Sequence, residues 1–161
     1  EIDTLKYQYS EEMLARDIYK YFYEKYSLKA FNNISSSEQK HMDELKLIFD
    51  RYEIALPSDY WVLKDKFNEL KSIWDKSLKE ALEVWMRIEM KDIDDIKSDI
   101  SKTDNKDFQY ILDNIWWASY NHLRSFIKTI NNNWIKTEID YSKYLSENEV
   151  NSRWNLNKII K

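Results

Sequence analysis

Residues 37–52 read SEQKHMDELKLIFDRY. Large apolar side chains recur in this stretch at spacings of three and four, as at Leu45 and Ile48, which is the spacing of one face of an α-helix. Glu38 and His41 continue the same spacing on the same face. The stretch is therefore predicted to be a helix that turns an acid and an imidazole, one helical turn apart, toward the protein interior.

Three other stretches show the same periodicity, and each again has a polar residue near the middle of its apolar face. We predict helices at about residues 4–26, 35–53, 77–100 and 104–130, followed by a short helix at 146–153. The inward-facing polar residues of the four long helices are Glu12, Glu38 with His41, Glu89 with Asp92, and His122. Both histidines of the chain belong to this set.

The composition favours an all-α protein. The 161 residues contain no Gly and a single Pro, Pro57, and these are the residues that the turns and hairpins of β-proteins need. A chain of this length suits one domain, which we predict to span residues 1–161. The absence of Cys excludes disulfides, zinc–thiolate sites, iron–sulfur clusters and a thiol nucleophile.

The predicted connections differ in length. Helices one and two are joined near residues 27–33 and helices three and four near 101–105, and such short links make each pair antiparallel. The connection at 53–76 is much longer, and its apolar residues are Trp61, Leu63, Phe67, Leu70 and Trp74. A short, a long and a short connection is the topology of a ferritin-like four-helix bundle, with a long crossover between helices two and three.

The S-x-x-E pattern of a capping box indicates three helix N-termini. The pairs are Ser35 with Glu38, Ser77 with Glu80, and Ser146 with Glu149. For the fourth helix, Thr103 and Asp104 are the predicted caps. A capping role would by itself account for Glu38, but the imidazole of His41 on the same face favours a ligand role.

The six inward polar residues supply four carboxylates and two imidazoles. Because an unpaired buried carboxylate is costly, acids on buried faces demand partners. Two divalent ions would offset four carboxylates, and the 29 acidic residues less these four leave 25, which equals the number of Lys and Arg residues. This ligand set is typical of a di-iron or di-manganese carboxylate centre.

Two of these acids have a second interpretation. Glu12 could lie in the first helical turn after a Ser10 cap, where the helix dipole favours an acid, but the apolar residues before it indicate that the helix has already begun. Asp92 is close to Asp94 and Asp95, and an acidic cluster of this kind usually forms a solvated face. Asp92 is therefore either a ligand or a surface residue.

Four segments carry a resemblance to a known family. They are EEMLARDIY at 11–19, SEQKHMDELKLIFDRY at 37–52, IEMKDIDDI at 88–96 and SYNHLRSF at 119–126. Together they resemble a family of uncharacterised ferritin-like domains, known only as a domain of unknown function, from about Leu5 to Glu147. The E-x-x-A-x-x-x-Y pattern that starts at Glu12 and the E-x-x-H pattern that starts at Glu38 are similar to helix motifs of rubrerythrins and ferritins.

The resemblance implies five metal ligands: Glu12, Glu38, His41, Glu89 and His122. In the fourth helix the sequence departs from rubrerythrins, because the expected E-x-x-H reads Ser119-Tyr-Asn-His122 and lacks one carboxylate. Our hypothesis is that Asp92, one turn from Glu89, supplies it. Tyr19, two turns from Glu12, is either a core residue or a hydrogen-bond partner of a ligand.

Two functions are compatible with this set. In the first, the chain is a ferroxidase- or peroxidase-type oxidoreductase whose two divalent ions are iron, with manganese or a mixed pair as alternatives, and whose substrate is O₂ or peroxide. Because no Cys is present for a rubredoxin-like centre, the electron donor would be a separate molecule. In the second, the bundle binds metal without catalysis or serves as a structural or assembly module.

The sequence says less about other binding partners and about the cellular compartment of the protein. The net charge of −4 gives no basic surface for nucleic acid, and no apolar run approaches the ~20 residues needed to span a bilayer. A homo-oligomer is compatible with the sequence. Because the sequence begins at Glu1 rather than Met, an extracellular or periplasmic location is expected as an alternative to the cytoplasm.

Overall fold

The structure, a computed structural model, describes residues 1–60 and 63–152. Over these residues the chain is all-helical, as predicted, with six helices and no strand. The helices are α1 (Ile2–Tyr26), α2 (Lys29–Arg51), α3 (Lys64–Trp74), α4 (Leu78–Lys102), α5 (Lys106–Asn132) and α6 (Glu147–Asn151). Two residues used in the sequence interpretation, Trp61 and Arg153, lie outside the described residues.

Helices α1, α2, α4 and α5 form a four-helix bundle, and cross-helix contacts give their directions. Along α2, Glu38 lies beside His122 of α5, and Arg51 pairs with Asp107 near the start of α5. Residue numbers thus rise along α2 as they fall along α5, so these helices are antiparallel. A link of two residues, 27–28, also makes α1 and α2 antiparallel.

Helix α4 is antiparallel to α1. Gln8 of α1 donates a hydrogen bond to Asp99 (3.4 Å), whereas Tyr19, three turns later, donates to Glu89 (2.8 Å). Because α2 and α4 are both antiparallel to α1, they are parallel to each other. Two parallel helices cannot be joined by a tight turn, and the connection between Arg51 and Leu78 is accordingly long.

This crossover contains α3, a helix that the sequence interpretation did not predict. Its last residue, Trp74, is 1 % exposed and stacks on Trp85 of α4 at 5.8 Å between ring centroids. Trp74 also packs edge-on against Phe22 of α1 (5.7 Å). The apolar residues of the crossover therefore attach α3 to the bundle.

Two predicted helix starts are wrong. Helix α2 begins at Lys29, six residues before Ser35, so Ser35 is inside the helix and caps nothing. Its buried hydroxyl donates instead to the Arg16 carbonyl of α1 (3.1 Å). The cap of α5 is Asn105, whose Oδ1 accepts from the Phe108 N–H (3.0 Å).

The predictions for the other two capping sites are confirmed. Ser77 accepts the Glu80 N–H at the start of α4. Ser146 and Glu149 form a capping box on α6, with both side chains bonded to the opposite backbone group.

The core consists of two apolar clusters, one toward each end of the bundle. In α1, one cluster contains Leu5 and the other contains Phe22. In α5, one contains Phe108 and the other Phe126. Between the two clusters, every long helix contributes buried polar side chains, so the bundle is divided by a polar layer. Among the described residues, no helix combines the length and hydrophobicity needed to cross a membrane.

Candidate metal centre

The polar layer brings together five of the six predicted ligands. They are Glu12 from α1, Glu38 and His41 from α2, Glu89 from α4 and His122 from α5. Each of these residues is at most 7 % exposed. They form two groups, in each of which the potential ligand atoms lie within 4.8 Å of one another.

Glu38 belongs to both groups, and its two carboxylate oxygens face different histidines. Its Oε2 lies 2.9 Å from Nδ1 of His41, and its Oε1 lies 3.3 Å from Nδ1 of His122. The two imidazole rings are 6.1 Å apart between centroids. A carboxylate between two imidazoles in this way has the position of a bridging ligand.

The remaining two acids flank this arrangement. Oε2 of Glu12 lies 3.1 Å from Nδ1 of His41, and Oε1 of Glu89 lies 3.5 Å from Nδ1 of His122. Both histidines therefore direct Nδ1 toward two carboxylates. The other nitrogen of His41, Nε2, lies 3.4 Å from Ser37 Oγ, one turn earlier on α2.

Burial and attraction to the histidines shift the pKa values of two of these acids, Glu38 and Glu12, in opposite directions. Burial raises the pKa of Glu38 to about 7, although attraction to His122 opposes the shift. Burial also acts to raise the pKa of Glu12, but attraction to His41 and a hydrogen bond with its imidazole outweigh burial, so that pKa is lowered. Of these two acids, Glu38 is thus the one that holds a proton more readily.

The pKa values of both imidazoles are raised, which favours their charged form. Burial acts to lower the pKa of His41, but the carboxylates of Glu12 and Glu38 raise it well above its ordinary value. The pKa of His122 is raised in the same way by Glu38 and Glu89, against burial. Cationic imidazoles therefore compensate the carboxylates within the layer.

Tyr19 is the hydrogen-bond partner of a candidate ligand. Its hydroxyl is fully buried and donates to Glu89 Oε1 at 2.8 Å. Burial and the neighbouring Glu89 raise the pKa of Tyr19 well above its ordinary value, so the hydroxyl stays protonated and acts as the donor. Such a partner orients a ligand and limits its rotation.

Asp92 is not part of either ligand group. It is half-buried and lines a cavity beside the groups, with Glu11 nearby on the same cavity. Glu11 lies one residue outside the apolar stripe of α1 and belongs to neither ligand group. Ser119 is buried, and its hydroxyl donates to the Ile115 carbonyl (3.3 Å) rather than to a candidate ligand.

The five residues fit divalent metal ions by donor type and by spacing. Carboxylate oxygen and imidazole nitrogen are ligands for iron, manganese and zinc. Two ligands at about 2.1 Å from one ion and roughly at right angles lie about 3 Å apart. The measured separations between imidazole and carboxylate atoms, 2.9 to 3.5 Å, are of this size.

Comparisons with known proteins show which proteins this chain is similar to, but the names of those proteins state no activity. Residues 1–155 match the family described as "Uncharacterized protein domain (DUF2202)". The uncharacterized protein MJ0754 of Methanocaldococcus jannaschii is 42 % identical over 130 residues, which are 76 % of this chain and 70 % of that protein. The crystal structure of the hypothetical protein MJ0754 from Methanococcus jannaschii DSM 2661 superposes with a TM-score of 0.79 at 34 % identity, covering 92 % of this chain and 88 % of that chain.

Proposed function

The chain belongs to the family of the uncharacterized protein domain DUF2202, and from that premise we propose that it is a ferritin-like protein that binds two divalent metal ions in a dinuclear carboxylate centre. The observation that carries the proposal is the position of Glu38 between His41 and His122. One ion would be held by Glu12, Glu38 and His41. The other would be held by Glu38, Glu89 and His122.

The helix arrangement supports a ferritin-like bundle. In such bundles the ligands project inward from all four helices, and a long crossover joins two parallel helices. Here α1, α2, α4 and α5 each supply a candidate ligand, and α2 and α4 are parallel. The fourth helix differs from the usual pattern, because it supplies His122 without a carboxylate one turn earlier.

The donor set accommodates iron or manganese, and we propose an oxidoreductase of the ferroxidase or peroxidase type. Bound iron would supply one-electron redox chemistry toward O₂ or peroxide. The protein's own contribution is positional: Tyr19 orients Glu89, and the apolar clusters on both sides of the layer limit access of water. A separate electron donor would be required, since the chain has no Cys.

A second candidate is a bundle that binds metal, or folds without it, as a structural or assembly module. The observation that favours it is the internal pairing of the layer, in which each imidazole is within 3.5 Å of two carboxylates. Such pairing compensates the buried charges without any ion.

Anaerobic titration of the metal-free protein with ferrous iron, followed by exposure to O₂, separates the two candidates. The proposal expects about two ions per chain and an O₂-dependent near-ultraviolet absorption of ferric iron. Glu38→Gln should abolish binding of at least one ion, because both ion positions share this carboxylate. Glu44→Gln is the matched control, since Glu44 lies on the same helix but accepts from Asn114 (3.2 Å) outside the layer.

A stoichiometry of one ion per chain or less in the native protein would contradict the dinuclear centre. Two tightly bound ions with no spectral response to O₂ would favour the non-catalytic candidate.

A further inference from the structure

A cavity of about 50 Å³ adjoins the candidate ligands. All five residues of the polar layer line it. Its apolar lining comes partly from α1, α4 and α5 and partly from the crossover, which contributes Leu63, Phe67, Leu70 and Trp74. The segment that joins the two helical hairpins thus also forms a wall beside the metal centre.

Aromatic packing holds this wall against the bundle. Trp74 is 1 % exposed and stacks on Trp85, which also lines the cavity. Phe67 packs edge-on against Trp74 with 5.6 Å between ring centroids. Leu63, just before α3, is 4 % exposed. The wall is therefore part of the packed core and not a loose flap.

The size of the cavity limits what can occupy it. A dry protein cavity of about 150 Å³ binds benzene, and one water molecule occupies about 30 Å³ of liquid. A volume of about 50 Å³ is a third of the benzene-binding value. It accommodates a molecule of a few heavy atoms and excludes an aromatic or branched organic group.

We infer that the crossover makes the centre size-selective and that Phe67 and Leu70 are the residues that determine this specificity. Hydrogen peroxide and dioxygen reach the ligands, whereas hydroperoxides with bulky organic groups do not. The inference rests on the proposed function and deepens it. Phe67 and Leu70 suit this role because both are half-buried and line the cavity, and neither belongs to the ligand groups.

The relevant step is the same for both classes of peroxide. With two ferrous ions bound, the hydroperoxide would accept one electron from each ion and take up two protons, and its O–O bond would break. Hydrogen peroxide leaves as two water molecules, and an organic hydroperoxide leaves as one water and one alcohol. Only the group attached to the second oxygen differs, so the rate ratio reports the space around the centre.

The first test uses the metal-free protein and benzene as the probe, with binding measured by ligand-observed NMR. The native protein is expected not to bind benzene. Phe67→Ala removes a phenyl ring from the wall and is expected to create a benzene site. Ile73→Ala is the matched control, because Ile73 is on the same helix and 37 % exposed but does not line this cavity.

The second test uses ferrous-loaded protein and compares oxidation by hydrogen peroxide and by cumene hydroperoxide. Phe67→Ala and Leu70→Ala should each raise the cumene hydroperoxide rate by at least about tenfold, with the hydrogen peroxide rate within about twofold of native. Leu70→Ala keeps the test decisive if the larger truncation unfolds the protein. Ile73→Ala should change neither rate.

The two tests fail in distinguishable ways. Benzene binding by the native protein, or none by a folded Phe67→Ala variant, overturns the inference whether or not the centre binds iron. Equal native rates with both peroxides also overturn it while the metal centre stands. Failure of the native protein to bind iron overturns the proposed function, and the benzene result then decides whether the wall closes the cavity.

Discussion

The five buried ionisable side chains of the polar layer are costly to fold. Removing a carboxylate or an imidazolium from water is unfavourable by several kcal/mol unless close partners compensate it. Here the compensation is mutual, since Nδ1 of His41 lies near both Glu12 and Glu38, and Nδ1 of His122 lies near both Glu38 and Glu89. Such an expensive arrangement at the middle of a small core favours a site over a purely structural layer.

Tyr19→Phe tests the hydrogen bond to Glu89. The substitution keeps the fully buried ring and removes only the hydroxyl that donates to Glu89 (2.8 Å). Because bonds to charged acceptors are strong, the metal-free protein should lose about 1.5–3 kcal/mol in its free energy of unfolding, measured by urea denaturation. Binding of Mn²⁺ should weaken by about tenfold or more, since the ligand loses its orienting partner.

The control for this substitution is Tyr110→Phe on α5, where the side chain is 68 % exposed. It should change stability by less than about 0.5 kcal/mol. Equal effects of the two substitutions would mean that the Tyr19 hydroxyl contributes nothing specific.

At the scale of the helix, the capping patterns in the sequence predicted the helix start correctly where no other contact of the same residues competed with capping. Ser77 and the Ser146–Glu149 pair cap helices as their sequence pattern predicts. Ser35 shows the same pattern but lies inside α2, because residues 29–34 continue the helix and pack on α1. Its hydroxyl finds a partner across the helix interface, the Arg16 carbonyl, and so does not act as a cap.

Asn105→Ala tests the observed cap of α5. Asn105 Oδ1 accepts from the Phe108 N–H, and its Nδ2 donates to the Tyr52 hydroxyl (2.8 Å). The substitution should lower the free energy of unfolding by about 1 kcal/mol, measured by thermal or urea denaturation. Asp104→Ala, at the residue that the sequence indicated, should cost less than about 0.5 kcal/mol, because the Asp104 contact with Glu1 is made by its backbone N–H. A larger loss of stability for Asp104→Ala than for Asn105→Ala would instead support Asp104 as the cap, as the sequence predicted.

For the whole molecule, the polar layer connects the two helical hairpins. Glu12, Glu38 and His41 come from the first hairpin, and Glu89 and His122 come from the second. An ion bound between Glu38 and the ligands of α4 and α5 would therefore hold together two units that the long crossover leaves separate in sequence.

Addition of Mn²⁺ to the metal-free protein should consequently raise its melting temperature. At about 100 times the Kd, one site contributes about 2.7 kcal/mol, which corresponds to roughly 5–10 °C for a domain of this size. Differential scanning calorimetry measures the shift, and a chelator should reverse it. Glu38→Gln should show little or no rise, and a rise as large as that of the native protein would place the ion elsewhere.

The sequence by itself determined the helical class and the set of polar residues that face inward. Both depend on the period of 3.6 residues and on the lack of Gly, which are properties of the chain over short distances. Five of the six residues selected on this basis, all except Asp92, meet in the polar layer. Their binding of metal stays a prediction, as does the ferritin-like assignment.

Only the tertiary structure decided how these residues meet. Helical spacing gives the face of a side chain but not the relative rotation and offset of two packed helices, which are set by interlocking side chains. Those offsets place Glu38 between two imidazoles, leave Asp92 outside both ligand groups, and bring Ser35 against the Arg16 carbonyl. They also place the crossover beside the polar layer, because Trp74 is buried against Phe22 and Trp85 of two other helices.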